Sequence, residues 1–442
     1  MRILVKVGAA LQQLLGPFAQ AAADECGVIK RKRKFSGLSL AQTFVLGFLQ
    51  DPQASDEKLA QIAAQCGVEV TPQAIEQRHT EKLVDFLQRL FRAATQVVVG
   101  SDKALAPILE RFTSVTLLDS STIMLPDQEQ EQFPGCGGSY GSGAAALKLQ
   151  TELDLRSGAL THVGIESARS PDAATKRQHA RRGPGSLRIS DLGYFNVFVF
   201  AAMTAADEHF LSRLQFGTAV RPHDGHSVDL LPWLANQPGP LVDRPILLGQ
   251  KQRLACRLIA WRLPREQANR RRQKLRQETM RKRGCEPCAE RLAWCDWTIL
   301  VTSVPGDMLT PKEATVLYRA RWQVELLFKR WKSQGLVTEL SGSTEVRQMV
   351  RVWARLLAAV VQHWLIIASV WGDPTKSLSK AFEAVRAFAG RIAAALTCLP
   401  ELDRVLNDIG RTVAKTCKRN TRSRPGTFEL LNDHDLLDFR LT

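Results

Sequence analysis

The segment from Tyr318 to Lys332, YRARWQVELLFKRWK, constrains the fold strongly because two patterns run through it at helical spacing. At about 100° per residue, Tyr318, Arg321, Glu325 and Lys332 fall within about 60° of one another. The adjoining arc is apolar and contains Leu317, Val324, Leu327, Phe328 and Trp331. The segment is therefore predicted to be one helix that packs on one side and presents an acid between cations on the next. An amphipathic helix with solvated charges fits the same spacing.

Composition indicates a globular protein with a polyanionic partner. The chain has 442 residues, enough for two to four domains, and 45% of them are hydrophobic. Sixty Lys and Arg against 44 Asp and Glu leave a formal charge of +16. The basic residues cluster at 30–34, 265–283 and 411–424, which favours nucleic acid over a membrane as the partner.

The apolar stretches and the cysteines point to a cytoplasmic protein. The run 356–371 contains Gln362 and His363 and is predicted to be a core helix, not a membrane span. Nine scattered cysteines favour a reducing compartment with free thiols. Cys285 and Cys288 form a CxxC with Cys295 nearby, but zinc would need a fourth ligand that the sequence does not indicate.

Residues 1–105 are predicted to form a helical DNA-binding domain with a helix-turn-helix at 57–89. Cys66-Gly67-Val68 is typical of the turn, and Thr71-Pro72 would cap a second helix. An ordinary helical hairpin fits this pattern equally well. The side chains that a helix-turn-helix would present to base edges are Gln73, Gln77 and Arg78.

From about residue 113 the hydrophobic period changes to that of strands. A catalytic domain is predicted over 106–375, with a β-rich insertion at about 208–295 whose basic part, 265–290, is a loop or mobile helix. The region 376–442 is predicted to be helical, with a basic tail and a role in a dimer contact. The predicted strands include 115–118, 146–156, 160–165, 186–190 and 297–302, and a helix is expected at 193–205.

Three acids occupy positions from which carboxylates can converge. Asp119 and Asp191 each follow a predicted strand, and Glu325 lies on the predicted helix. Three converging carboxylates can hold two hard cations, which activate water or a hydroxyl for attack on a phosphodiester. Taken singly, each acid fits a turn or cap, and Asp119 precedes two serines.

The spacing Tyr318-x2-Arg321-x3-Glu325-x6-Lys332 resembles that of bacterial insertion-sequence transposases of the Tyr-Arg-Glu-Lys (YREK) group. The sequences DSST at Asp119 and DLGY at Asp191 resemble the same family. The resemblance covers about residues 30–375. It implies an α/β fold: an RNase H-like catalytic core with a β-rich insertion, flanked by helical N-terminal and C-terminal regions.

The resemblance also implies residue roles. Asp119, Asp191 and Glu325 would bind two Mg²⁺ ions, for which Mn²⁺ could substitute. Tyr318, Arg321 and Lys332 would contact phosphates, and Trp297 would stack on a base that leaves the duplex. The alternative for Trp297 is an aromatic residue at a strand end that packs in the core. Trp322 also matches the family, and Lys329 lies on the same helical face.

The implied activity is cut-and-paste transposition through strand nicking, a hairpin and strand transfer. Its partners would be double-stranded DNA, namely the terminal inverted repeats and the target, and a second copy of the chain on DNA. The protein would lie in the bacterial cytoplasm at the nucleoid. Two alternatives remain: a DNA-binding regulator or decayed transposase that does not cut, and a nuclease of this fold that cuts without joining.

Overall fold

The computed structural model describes residues 3–29, 34–136, 144–222, 228–332, 344–371, 373, 375–420 and 425–437. The chain forms two compact units, each assembled from separate stretches of sequence. The first unit comprises 1–105, 120–170 and 323–421, and the second comprises 106–119, 171–322 and 422–442. The domain boundaries expected near 105 and 375 stay a prediction, since compactness alone does not define independent domains.

The strands and helices are numbered in chain order. The strands are β1 (Val115–Met124), β2 (Ala146–Asp154), β3 (Leu160–Ser167), β4 (Leu187–Ser190), β5 (His209–Arg213), β6 (Val220–Pro222), β7 (Leu241–Leu248), β8 (Leu254–Arg262) and β9 (Trp297–Thr302). The α-helices as far as the insertion are α1 (Ile3–Gln13), α2 (Ala19–Cys26), α3 (Gly37–Gln50), α4 (Asp56–Gln65), α5 (Pro72–Glu76), α6 (Glu81–Gln96), α7 (Val197–Thr204), α8 (Leu230–Ala235), α9 (Arg265–Arg283) and α10 (Ala289–Trp294). Those that follow are α11 (Pro311–Ala320), α12 (Trp322–Trp331), α13 (Glu345–Val370), α14 (Leu378–Ala387), α15 (Ala389–Ala395), α16 (Leu399–Thr416) and α17 (Thr427–Asn432).

The second unit is built on a mixed sheet in the order β1-β4-β5-β9-β8-β7-β6. β1, β4 and β5 are parallel neighbours, whereas the strands from β9 to β6 pair antiparallel. β4 is buried along its whole length, as expected of a parallel strand covered on both faces. The antiparallel strands β6 to β8 and the helices α8, α9 and α10 fall within the insertion predicted at about 208–295. β5 falls within these bounds too, but it pairs parallel with β4 and so continues the sheet of β1 and β4.

Apolar side chains of β5 to β9 and the helices around them form the core of the second unit. β9 alternates with period two, so that Trp297, Ile299 and Val301 share one face. Their partners on that face are Val199, Phe200, Met203, Phe210, Leu214, Val220, Leu230, Leu234, Val242, Ile246, Leu248, Cys256, Leu258 and Ala260.

The first unit is mainly helical, and α13 runs through its interior. Among the described residues α13 is the one helix long and apolar enough to cross a membrane, but 89% of its most apolar stretch is buried inside the protein. That burial agrees with the core helix predicted at 356–371. Five helices of this unit pack on α13, namely α1, α3, α6, α14 and α16.

β2 and β3 form an antiparallel hairpin in the first unit, with the end of β1 beside β2. Its turn at Ser157-Gly158 is the one predicted from the sequence. Gly158 has φ +77°, and an added Cβ would lie 2.4 Å from the Trp371 ring. His363 of α13 places its Nε2 2.8 Å from the Gly158 carbonyl oxygen. The turn therefore requires glycine for two reasons, the backbone angle and the approach of the ring.

The fold is mixed α/β, with a large mixed sheet and helical flanks, as the sequence predicts. One expectation is wrong in part: the basic segment after residue 265 is the regular 19-residue helix α9, not a loop. Its Arg, Gln, Lys and Glu side chains have good helix propensity, and this outweighs the lack of an apolar stripe.

Candidate active site

Two aspartates lie side by side where the pairing of two parallel strands ends. The last residues paired between β1 and β4 are Leu118 and Ser190. The next residues along the chain are Asp119 on β1 and Asp191 directly after β4. Because parallel strands in register finish at one edge, these two carboxylates come to the same level of the sheet.

The prediction that Asp119 ends its strand is wrong, because β1 continues to Met124. What ends after Leu118 is the pairing with β4, since the chain turns at Asp191 into a short 3-10 helix at 192–194. Asp119 is therefore held on extended backbone within a strand. The alternative role of Asp119 as a turn or cap residue does not apply.

The guanidinium of Arg321 lies between the two carboxylates. Its Nη1 is 3.9 Å from Oδ2 of Asp119, and its Nε is 3.9 Å from Oδ1 of Asp191. At these distances the attraction is electrostatic, without the short contact of a direct hydrogen bond. Three residues singled out from the sequence thus meet at one point of the second unit.

Tyr318 lies next to this group with its side chain half-buried and its hydroxyl oxygen inaccessible to solvent. Burial and the Asp191 carboxylate raise the pKa of Tyr318 to about 12, although Arg321 and Arg213 act in the opposite direction. The Arg321 guanidinium carbon is 5.9 Å from the centre of the Tyr318 ring. The phenol is therefore neutral near pH 7 and suited to donating a hydrogen bond to an anion.

A cavity of about 420 Å³ opens beside Tyr318 and Arg321. Its walls come from β5, β8, β9, α9, α11 and the start of α12, and from Thr427 of α17. It is lined by four arginines and three aromatic rings, a combination suited to phosphates and bases. These residues are Arg213, Arg271, Arg319, Arg321, Trp261, Tyr318 and Trp322.

Three of the arginines have no acidic partner among the described residues, and these are Arg213, Arg271 and Arg319. Burial and, to a smaller extent, the nearby Arg213 lower the pKa of Arg271 to about 10, although Cys295 acts in the opposite direction. Positive charges that are partly buried and uncompensated favour the binding of an anion. These side chains were not predicted from the sequence.

The two tryptophans of the sequence prediction lie in different environments. Trp297 is 7% exposed and belongs to the core of the second unit, whereas Trp322 is 52% exposed and lines the cavity. Trp261 of β8 pairs across the sheet with Thr298 of β9, and both line the cavity. Base stacking by Trp297 stays a prediction, and the alternation in WTILVT is the sequence signal that puts its ring on the core face.

The predicted single helix from 318 to 332 is divided at Arg321. Its backbone N–H bonds to the Tyr318 carbonyl at 3.2 Å, three residues back, so that α11 ends at Ala320 and α12 starts at Trp322. A tighter turn of this kind interrupts the regular helical ladder. Arg321 itself keeps right-handed helical angles, φ −50° and ψ −33°, and the common angular arc of the four polar residues stays a prediction.

Three further predicted residues lie in the first unit. Glu325 and Lys329 are on α12, with Glu325 half-buried and Lys329 exposed, and Lys332 follows directly after α12. Their predicted roles as metal ligand and phosphate contacts stay predictions.

The predicted helix-turn-helix has its caps in the expected places. Thr71 accepts a hydrogen bond from the Ala74 N–H, and Pro72 begins α5, which ends already at Glu76. Gln73 and Gln77 are exposed, whereas the Arg78 guanidinium packs on the Phe35 ring at 4.4 Å. A helix of five residues offers little surface to a groove. The contacts of Gln73, Gln77 and Arg78 with DNA stay predictions.

Cysteine residues do not build a metal site in the part of the chain described. All nine are free thiols, and Cys285 and Cys288 are exposed. No group of three or more His, Cys, Asp or Glu side chains there is placed to hold a metal ion. Of the basic runs, residues 30–33 and 421–424 lie outside the described residues.

Comparison with known proteins identifies the family. The profile of the transposase DDE domain matches residues 110–361, more than half of the chain. The chain belongs to the DDE transposase family. The matched range includes Asp119, Asp191, Tyr318, Arg321 and Glu325.

Relatives of this DDE-family chain include several transposases. It is 27% identical over 374 residues to the transposase for insertion sequence element IS231B of Bacillus thuringiensis, covering 79% of this chain and 77% of the relative. It is 23% identical over 340 residues to the transposase for IS1151 of Clostridium perfringens, with 70% of each chain covered. A shorter match, 38% over 125 residues, is to the putative transposase InsL for IS186A of Escherichia coli, covering 28% of this chain and 34% of the relative.

Proposed function

We propose that this protein is the transposase of an insertion sequence and acts on double-stranded DNA. The observation that carries the proposal is the pair Asp119 and Asp191 at one sheet edge, with Arg321 3.9 Å from each and an arginine-rich cavity beside them. The names of the relatives, which are transposases for insertion sequences, support it.

We further propose the YREK group and an RNase H-like core. The spacing of Tyr318, Arg321, Glu325 and Lys332 supports the group. The strand order β3-β2-β1-β4-β5 supports the core. In it β3 is antiparallel to β2, whereas β4 and β5 are parallel to β1. The antiparallel strands β6 to β8 would be the family's β-rich insertion.

The donor set fits a divalent metal. Asp119 and Asp191 offer carboxylate oxygens, which Mg²⁺ and Mn²⁺ prefer, and the resemblance assigns Glu325 as the third ligand. Two Mg²⁺ ions would supply the Lewis acidity for in-line transfer at a phosphodiester. Arg321, which faces both aspartates in the protein alone, would turn its charge toward a DNA phosphate once the aspartates have other partners.

The protein's own side chains would bind and orient the DNA. Tyr318 would donate its hydroxyl proton to a phosphate oxygen, and its raised pKa argues against a role as a nucleophile. Arg213, Arg271 and Arg319 would neutralise phosphates that enter the cavity. Water would be the attacking group in nicking and in hairpin opening, and a DNA 3′ hydroxyl would attack in hairpin formation and in strand transfer. No covalent enzyme intermediate would form.

Excision requires both ends of the element to be held together, so we propose a homodimer on DNA with part of its contact after residue 376. We also propose a cytoplasmic location at the nucleoid, which nine free thiols and the +16 charge support.

The experiment is incubation of the purified protein with its own transposon-end duplex, with Mg²⁺ or with EDTA, and separation of the products on a denaturing gel. We expect a Mg²⁺-dependent nick followed by a hairpin of doubled strand length. Binding that survives EDTA with no cut under either Mg²⁺ or Mn²⁺ would favour a regulator or decayed transposase instead. Cutting without strand transfer into a target plasmid would favour a nuclease.

A further inference from the structure

α9 is an unusual helix for a globular protein because it has no apolar face. Of its 19 residues nine are Lys or Arg and two are Glu, and Ala268 alone is buried. A helix that is polar all round gains little from packing against its own protein. Its charge therefore has to be explained by solvent or by a partner.

The first half of α9 is fixed to the second unit beside the cavity. Arg271 donates from Nη1 to the Trp297 carbonyl oxygen at 3.1 Å, and Arg272 pairs with Asp296 at 2.5 Å. Arg271 also lines the cavity next to Tyr318 and Arg321. An anion bound in the cavity would therefore contact α9 directly.

The charges along α9 are not equally compensated. Arg270 pairs with Glu266, Lys274 lies 3.9 Å from Glu278, and Arg276 lies 3.4 Å from Glu286. By contrast Arg281, Lys282 and Arg283 are exposed and have no acidic partner among the described residues. Among the described residues, positive charge without an acidic partner thus occurs at the first residue of the helix, Arg265, at Arg271 and at the C-terminal end.

Helix geometry puts Arg271 and the C-terminal end of α9 on one line, whereas Arg265 lies on another side of the helix. Lys282 follows Arg271 by eleven residues, which is about 20° of rotation and about 16 Å of rise. A partner that reaches from the cavity to Lys282 must carry negative charge over at least that length. Duplex DNA carries one charge per about 1.7 Å of its axis and meets this requirement, whereas a membrane surface would need an apolar face that α9 lacks.

We propose that α9 binds the phosphate backbone of the duplex whose cleavage site lies at Asp119 and Asp191. Arg271 holds a phosphate in the cavity, and Lys282 with Arg283 holds the backbone about half a helical turn of DNA away. The proposal rests on the transposase function and adds a DNA-contacting element that lies outside the residues assigned from the sequence.

The test compares two double variants that remove the same charge from the same helix. K282A/R283A removes unpaired cations, and R270A/K274A removes cations that pair within the helix. Alanine preserves helix propensity in both. The affinity for the transposon-end duplex is measured between 50 and 200 mM salt. For K282A/R283A we expect several-fold weaker binding at 100 mM salt and a salt slope smaller by about 1 to 2, since each lost phosphate contact removes about 0.9. For R270A/K274A we expect the wild-type slope.

A second measurement locates the contact on the DNA. Duplexes are shortened stepwise from each end, and the affinity loss caused by K282A/R283A is expected to vanish once the half turn that α9 reaches has been removed. This non-additivity is the signature of a shared contact.

Each outcome bears on the proposal. A wild-type salt slope in K282A/R283A, or an equal loss in both variants, would overturn the α9 contact while wild-type cleavage leaves the transposase function intact. A wild-type protein that neither binds nor cuts the duplex would overturn both.

Discussion

The burial of Trp297 gives a prediction that separates a core role from a DNA-contacting role. A Trp side chain buries up to about 250 Å² of surface, and at about 25 cal/mol per Å² the 7% exposed Trp297 contributes at most about 6 kcal/mol. The same reasoning gives at most about 3 kcal/mol for Trp322, which is 52% exposed beside arginines. W297A should therefore destabilise the protein by at least about 2 kcal/mol more than W322A. The total cost of W297A should lie in the range of about 3 to 5 kcal/mol that is usual for Trp→Ala in a core.

The assay is urea unfolding followed by far-UV circular dichroism, because fluorescence would change with the loss of a tryptophan. With a slope of about 3 kcal/mol per M, the W297A midpoint should lie about 0.7 M or more below that of W322A. W297F keeps an aromatic ring and should fall between W297A and the wild type. W322A should instead weaken binding of the transposon-end duplex. The reasoning is refuted if W297A unfolds at the wild-type midpoint and loses only DNA binding.

Three further predictions concern groups with unusual environments. Burial lowers the pKa of His363 to about 4, below its ordinary value near 6.5, because the buried imidazole is neutral. The free energy of unfolding is therefore unaffected by His363 above pH 6.5 and falls as the pH drops toward 4. The wild type should thus lose about 3 kcal/mol more than H363Q over that interval in urea unfolding at several pH values, and an equal loss would contradict the burial of a neutral imidazole. G158A should cost at least about 1 kcal/mol more than G67A, because both glycines have φ near +77° but only at Gly158 would a Cβ meet a ring, that of Trp371; equal unfolding midpoints would remove that contact. The pKa of the Tyr318 phenol is raised to about 12, so the wild type and Y318F should show the same change in absorbance at 295 nm near pH 10. A step near pH 10 that is present in the wild type and absent in Y318F would place Tyr318 in water.

Local patterns in the sequence were enough to predict the strands that carry the aspartates. The run VTLL before Asp119 is mostly apolar, the run LRIS before Asp191 alternates apolar and polar residues, and both form strands. The sequence could not show that β1 continues past Asp119, because its polar Ser and Thr residues are equally typical of a turn. Only the register with β4 reveals that pairing, not the strand, ends there.

Long-range assembly explains what the sequence did not reveal about the cavity. Arg213, Arg271 and Arg319 come from β5, α9 and α11, and each arginine lies about 50 residues or more from the next along the chain. No local spacing connects them, and each alone resembles a solvated cation. The position of Trp297 differs, since its face follows from the alternation with Ile299 and Val301 that was already present in the sequence.

The measurement that tests the central claim most directly is Mg²⁺-dependent cleavage of the transposon-end duplex by three variants, D119N, D191N and E325Q. Each removes one carboxylate while preserving side-chain size, and DNA binding in EDTA serves as the control for folding. We expect all three variants to bind the duplex and none to cut it. Normal cutting by D119N or D191N would contradict the assignment of the active site to this edge of the sheet, and normal cutting by E325Q would contradict its role as the third ligand.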